Sequence, residues 1–142
     1  MPLAGHDRVA LDSNVLIYLL EDDARFGEIA AGVIDAIEHG DAQGVMASIG
    51  LVEILAAPAH SGDAAAFERT AAGLADLSMQ IVGLDADLAG DAAWLQGALG
   101  LTVGDAIHLA TARRAGATAF ITNDRRLRSI ARLEVLYLDE IA

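Results

Sequence analysis

The chain has no cysteine and no lysine. Without cysteine there is no disulfide, no thiolate nucleophile and no thiolate-bound metal, a pattern that fits a cytoplasmic protein. Without lysine, all nine basic residues are arginine. The N-terminal MPLAGHDRVALDSN lacks a basic start followed by an apolar run, so no signal peptide is expected. Long apolar runs are missing as well. A membrane-spanning helix needs about 20 mostly apolar residues. The nearest candidate, Ala42 to Gly62, carries Glu53 in its middle and Pro58 near its end. A central carboxylate is costly in lipid. Although mean hydropathy is +0.42, the stretch reads as buried in a soluble protein, and no membrane partner is expected.

What is present suits one domain spanning 1–142, long enough for a real core. More than half of the residues are hydrophobic, at 54%, which excludes a disordered chain. Much of that is alanine, a helix former. The net charge of −12 argues against nucleic-acid binding when taken as a sum. Its distribution argues otherwise. Thr111 to Arg132 holds six Arg and one Asp, while the remainder holds three Arg and twenty acids. One basic end on an acidic molecule can steer a polyanion. Arg residues at helix C-termini, complementing the dipole, would explain the same cluster.

Strand and helix signals alternate along the chain. Val9-Ala-Leu reads as a first strand ending at Asp12, with Ser13 capping a helix over Val15 to Leu20. Apolar residues at Ile29, Val33, Ile34 and Ile37 predict a helix from Arg25 to His39, closed by Gly40. Gly44 to Ala47 reads as the second strand. Ser48 is expected to cap a helix from Ile49 to about Ala57, with Pro58 after its end. An amphipathic helix follows over Asp63 to Leu77, then a third strand over Gln80 to Gly83. Asp85 caps a helix running to Leu99, and Thr102 opens another that stops at Gly116. Ala119 to Thr122 and Val135 to Leu138 are the fourth and fifth strands. Strands separated by helices imply parallel pairing, hence a three-layer α/β/α sandwich. Ligands in such sheets lie outside the carboxyl ends of the strands.

Four acids fall at that edge. Asp12 ends the first strand and Asp124 follows the fourth; each is also explained as a turn or helix-start residue. Asp105 sits in Thr102-Val-Gly-Asp, a capping box that accounts for it structurally. Glu53 lies in Ile49-Gly-Leu-Val-Glu-Ile-Leu-Ala-Ala, a helix with no other charge, and so looks buried. A buried carboxylate needs a partner, either a metal or an arginine near in space. Taken jointly, four carboxylates at one edge repel one another unless a hard cation offsets them. Oxygen donors without cysteine suit Mg²⁺ or Mn²⁺.

Val9-Ala-Leu-Asp-Ser-Asn-Val-Leu-Ile, Ile49-Gly-Leu-Val-Glu-Ile, Val103-Gly-Asp-Ala-Ile-His-Leu-Ala-Thr-Ala and Phe120-Ile-Thr-Asn-Asp-Arg-Arg-Leu together resemble the PIN-domain ribonucleases, and within them the VapC-type toxins of toxin–antitoxin pairs. The resemblance covers nearly the whole chain. It implies a five-stranded parallel sheet of order 3-2-1-4-5 and Mg²⁺- or Mn²⁺-dependent endonuclease action on RNA. It implies that Asp12 and Asp105 are the principal metal ligands, completed by Glu53 and Asp124. Ser13, Asn14 and Thr122 match polar positions that orient ligands or contact phosphate. The partners it implies are RNA, a small VapB-like antitoxin and a second copy in a homodimer.

Two other readings compete. A phosphoaspartyl phosphatase or receiver domain also places an Asp after its first strand, but position 14 is Asn where the phosphatase pattern wants Asp, and a receiver needs a lysine. A catalytically silent PIN-like binding module would keep the acids for an interface. His108, one turn after Asp105, reads as a structural histidine, or as one that supports a ligand from behind, more than as a general base. Trp94 reads as core or interface rather than a base-stacking platform.

Overall fold

The computed structural model describes residues 3–141, so Met1, Pro2 and Ala142 at the ends of the expected domain lie outside the described residues. Five strands, β1 (Arg8–Leu11), β2 (Gln43–Ala47), β3 (Met79–Val82), β4 (Ala119–Thr122) and β5 (Glu134–Tyr137), form one sheet in the order β3-β2-β1-β4-β5. Every pairing is parallel. Both the class and the strand order expected from the sequence are met. Among the described residues no helix is long and apolar enough to cross a membrane.

Among the described residues seven helices flank the sheet: α1 (Ser13–Leu20), α2 (Gly27–Glu38), α3 (Ile49–Ser61), α4 (Ala64–Ala75), α5 (Ala86–Leu99), α6 (Val103–Arg114) and α7 (Leu138–Ile141). Successive strand residues point to opposite faces, and the core divides accordingly. Val9 and Leu11 of β1, with Ala119 and Ile121 of β4, pack toward Val15 and Leu16 of α1 and Val33, Ile34 and Ile37 of α2. Ala10 and Phe120 point the other way, onto Leu88, Ala92 and Leu95 of α5 and Ala106, Leu109, Ala110 and Ala112 of α6. Burying one large apolar side chain such as Phe120 or Leu11 contributes about 1.5–3 kcal/mol. On the second face three of the buried residues of α6 are alanine, packed in one cluster with Ile107 and Leu109 of the same helix.

Helix ends depart from the sequence expectation in four places. Asp12, not Ser13, caps α1: its backbone is extended and its side chain accepts from Ser13 N. A carboxylate outcompetes the hydroxyl because it is already one residue upstream, in the β conformation a cap requires. Ser48 makes no side-chain cap, because its own backbone is already helical. Pro58 lies inside α3 rather than after it. Its missing N–H forgoes one intrahelical bond, but it falls in the last turn, so only three helical residues follow it, and its own carbonyl accepts from Ser61 Oγ and Asp63 N. Gly62, at φ +71°, ends the helix in the left-handed region. Asp124 starts no helix; it begins a turn, with its carbonyl accepting from Leu127 N. The short α7 was not expected from the pattern. Trp94 on α5 is 78% exposed, so it is not a core residue.

Gly50 sets how closely α3 approaches the sheet. A Cβ there would strike Met46 Sδ and lie 2.9 Å from Met46 Cγ and 3.4 Å from His108 Cε1. Met46 is itself buried, so its side chain would have to shift within the core. Gly50→Ala is therefore expected to lower stability by about 1–3 kcal/mol through overpacking. Denaturant unfolding of the two proteins measures this; an unchanged midpoint would show that α3 is free to shift.

Candidate active site

The carboxyl ends of β1, β2 and β4 and the N-terminal turns of α3 and α6 meet at one edge. Asp12 leaves β1 there and is only 6% exposed. Both of its oxygens are held. Oδ1 accepts from Ser13 N at 2.8 Å and Oδ2 accepts from Thr122 Oγ1 at 2.8 Å. Asn14 Nδ2 lies 3.5 Å from Oδ2 and 3.3 Å from Thr122 Oγ1. Thr122 is the hinge of this network, because its hydroxyl oxygen also accepts from Asp124 N at 3.0 Å. The three supporting positions thus converge on Asp12.

Glu53 comes to the same place from α3, but not as a buried group. Its side chain is 40% exposed, and only Gly50 and Ile54 of α3 are buried. This corrects the expectation drawn from its uncharged neighbours. A helix without charges is not thereby inside; the outward face of α3 carries Val52, at 67% exposure. Nor is the partner of Glu53 an arginine. His108 Nε2 donates to Glu53 Oε1 at 2.6 Å and stands 3.7 Å from Asp12 Oδ1. Ligating atoms of Asp12, Glu53 and His108 all lie within 4.8 Å of one another. His108 therefore belongs to the constellation rather than to the packing behind it. The signal was its place one turn after Asp105, on the same face of α6.

Asp105 stands in the first turn of α6, its N–H capped by Thr102 Oγ1 at 3.2 Å. Asp124 is gripped by Arg126, whose Nη2 lies 2.6 Å from Asp124 Oδ2 and 3.9 Å from Asp105 Oδ2. The four acids thus form two linked pairs: Asp12 and Glu53 around a histidine, Asp105 and Asp124 around an arginine. Arg126 had no sequence signal beyond membership of the basic stretch, and that stretch is divided by the fold. Arg113 and Arg114 occupy the last turn of α6, far from its N-terminus, and Arg114 pairs with Asp85 and Asp91. Arg125, Arg126, Arg128 and Arg132 lie in the loop that follows β4.

Electrostatics separate the groups. Burial pushes the Asp12 carboxyl above its ordinary range, although His108, Thr122 and Ser13 oppose the rise. The hydrogen bond from His108 lowers that of Glu53, against its partial burial. Burial works against a charged His108, but the Glu53 hydrogen bond and the charges of Asp12, Glu53 and Asp105 outweigh it and raise its pKa. The Arg126 guanidinium holds Asp124 below the usual aspartate value. Two carboxylates, one of them buried with both oxygens oriented, make an oxygen donor set that fits a hard divalent cation, while His108 holds the second carboxylate in place. Asp12 is the member whose buried charge such an ion would offset.

The PIN domain family model matches residues 9–133. No curated protein matches the chain in sequence. Among solved structures, a toxin–antitoxin complex from Klebsiella pneumoniae aligns at TM-score 0.68 and 23% identity, covering 88% of this chain and 94% of the other. VapBC2 from Rickettsia felis, bound to a promoter DNA fragment, aligns at TM-score 0.72 and 16% identity over 92% and 98%. VapC20 of Mycobacterium tuberculosis, a toxin that cleaves the sarcin–ricin loop, aligns at TM-score 0.62 and 16% identity over 79% and 86%.

The elevated Asp12 pKa makes a prediction for protein stripped of metal by chelator. Folded Asp12 holds its proton to higher pH than unfolded Asp12 does. The stability that protonation confers is full below the unfolded value and is lost as pH rises through the folded one. Asp12→Asn keeps the shape and the cap but removes the buried charge. It should unfold at higher denaturant than the parent at roughly pH 7, with the advantage gone at roughly pH 3. A variant less stable at neutral pH would contradict the desolvation account.

Proposed function

The chain belongs to the PIN domain family, and from that premise we propose that it is a Mg²⁺- or Mn²⁺-dependent endoribonuclease, the toxin of a toxin–antitoxin pair. The observation that carries the reading is the convergence of Asp12, Glu53 and His108 within 4.8 Å at the carboxyl edge of the sheet. The neighbouring structures support the rest, since two are toxin–antitoxin complexes and one is a toxin that cleaves the sarcin–ricin loop.

In this reading Asp12 and Asp105 are the principal metal ligands, and Glu53 and Asp124 complete the site. The bound ion supplies an activated water and offsets charge on the phosphate and on the leaving 3′ oxygen. The chain's own residues keep the site in shape. Ser13 N and Thr122 Oγ1 fix the two oxygens of Asp12, so its orientation costs nothing at the moment of reaction. His108 fixes Glu53, which is otherwise half in solvent. Thr122, through Asp124 N, ties the position of Asp124 to that of Asp12. Asn14 stands by Asp12 and Thr122 and steadies both.

RNA is the substrate, and the partners are a small VapB-like antitoxin and a second copy of the chain. Exposed Val52, Trp94 and Val103 supply apolar surface that suits protein partners. Residues 1–142 act as one PIN-like domain in the cytoplasm.

The test uses purified protein free of antitoxin, mixed cellular RNA, and Mg²⁺, Mn²⁺ or chelator. Cutting should require the metal, and Asp12→Asn and Asp105→Asn should each lose about 100-fold or more in rate. Equal cutting by parent and variants would sink the mechanism. Absence of any cutting, together with no stabilisation by metal, would leave a silent binding module.

A further inference from the structure

Arg126 has no assigned part in the proposed reaction, yet it touches the proposed site twice. Its Nε lies 3.0 and 3.1 Å from the two oxygens of Asp124, and its Nη2 lies 2.6 Å from Oδ2. The same Nη2 is 3.9 Å from Asp105 Oδ2. One guanidinium therefore stands between two carboxylates that come from different elements, the loop after β4 and the first turn of α6. It is placed as a counter-ion for the outer half of the site, just as His108 is for the inner half.

The loop does not need this side chain for its shape. Asp124 Oδ1 accepts from the backbone N of Arg126 at 3.0 Å, and the Asp124 carbonyl accepts from Leu127 N at 3.1 Å. Both bonds survive truncation of the guanidinium. The Arg126 side chain is also 73% exposed, and ion pairs so open to water hold weakly. It is thus cheap to release. Its neighbour Arg125 differs, being tied to Asp139 and Glu140 and stacked over Tyr137 at 4.2 Å. Once released, Arg126 stays tethered two residues from Asp124, at the rim of the site. Its planar fork of N–H donors matches the two free oxygens of a phosphodiester.

We infer that Arg126 is a displaceable internal counter-ion: it pairs with Asp124 and partly offsets the charge of Asp105 until they hold a divalent cation, and it then holds the RNA phosphate. The inference rests on the metal-nuclease reading above. An acidic protein gains from such a device, because the cation that would otherwise compete for the site is turned toward the polyanion it must retain.

Calorimetric titration with Mn²⁺, without RNA, tests the first half on parent, Arg126→Ala and Arg126→Lys. Removing the competing cation should tighten Mn²⁺ binding about threefold to fivefold in Arg126→Ala, with Arg126→Lys close to the parent. Binding of a mixed-sequence RNA oligonucleotide, with Ca²⁺ filling the site, tests the second half. It should weaken about tenfold or more in Arg126→Ala, and Arg126→Lys should recover only part, since an ammonium lacks the fork. If the parent binds Mn²⁺ and Arg126→Ala binds it equally or less well, the inference falls and the metal site stands. Unchanged RNA binding likewise overturns it. If no form binds Mn²⁺, the metal-nuclease reading falls and takes the inference with it.

Discussion

Asp12 ends the central strand of the sheet with almost no contact with water. A carboxylate in that position is expensive unless its oxygens are occupied and its charge is answered. The surrounding structure reads as a set of answers. Ser13 and Thr122 occupy the oxygens, and His108 brings a nitrogen within reach. These residues come from α1, β4 and α6. One buried charge therefore requires three elements to arrive at one point, and the parallel order of the strands is what brings them there. The same requirement makes the site's geometry inseparable from the fold: to move Asp12 is to move the end of β1 and the start of α1 together.

The architecture was legible in the sequence because its signals are local. Apolar runs of four or five residues bounded by glycine and by capping residues mark strands and helices without knowledge of what they pack against. Thr102 and Asp85 were readable as caps for that reason, and both cap as expected. Ser13 and Ser48 misled because a hydroxyl before an apolar run is a common cap, while the actual choice depends on backbone angles that the sequence does not display. Pro58 misled because a proline gives up its own N–H bond yet can still sit in a last turn, where little helix remains to disrupt.

The site was legible as a set of residues, less so as a set of contacts. Glu53 was singled out because its helix holds no other charge, yet that helix turns much of itself to solvent. Exposure is a property of how α3 lies on the sheet, and no pattern within nine residues reports it. The partner of Glu53 is 55 positions away. Arg126 illustrates the converse case. It is two residues from the acid it grips, but six arginines in one stretch conceal the single one that faces the site. Only the fold separates those at the far end of α6 from those beside Asp124.

The alanine-rich seating of α6 on the sheet has a consequence in entropy. A buried leucine or methionine surrenders rotamers on folding, whereas alanine has none to surrender. With Ala106, Ala110 and Ala112 among its buried residues, beside Ile107 and Leu109, α6 gives up less rotamer freedom than a helix seated on large side chains alone. Asp105 and His108 ride on that helix. Their positions are thus set by an element with fewer soft torsions beneath it, which limits thermal wander where a catalytic arrangement tolerates it least. Alanine, the plainest of side chains, is in this sense what keeps the chemically active ones in register.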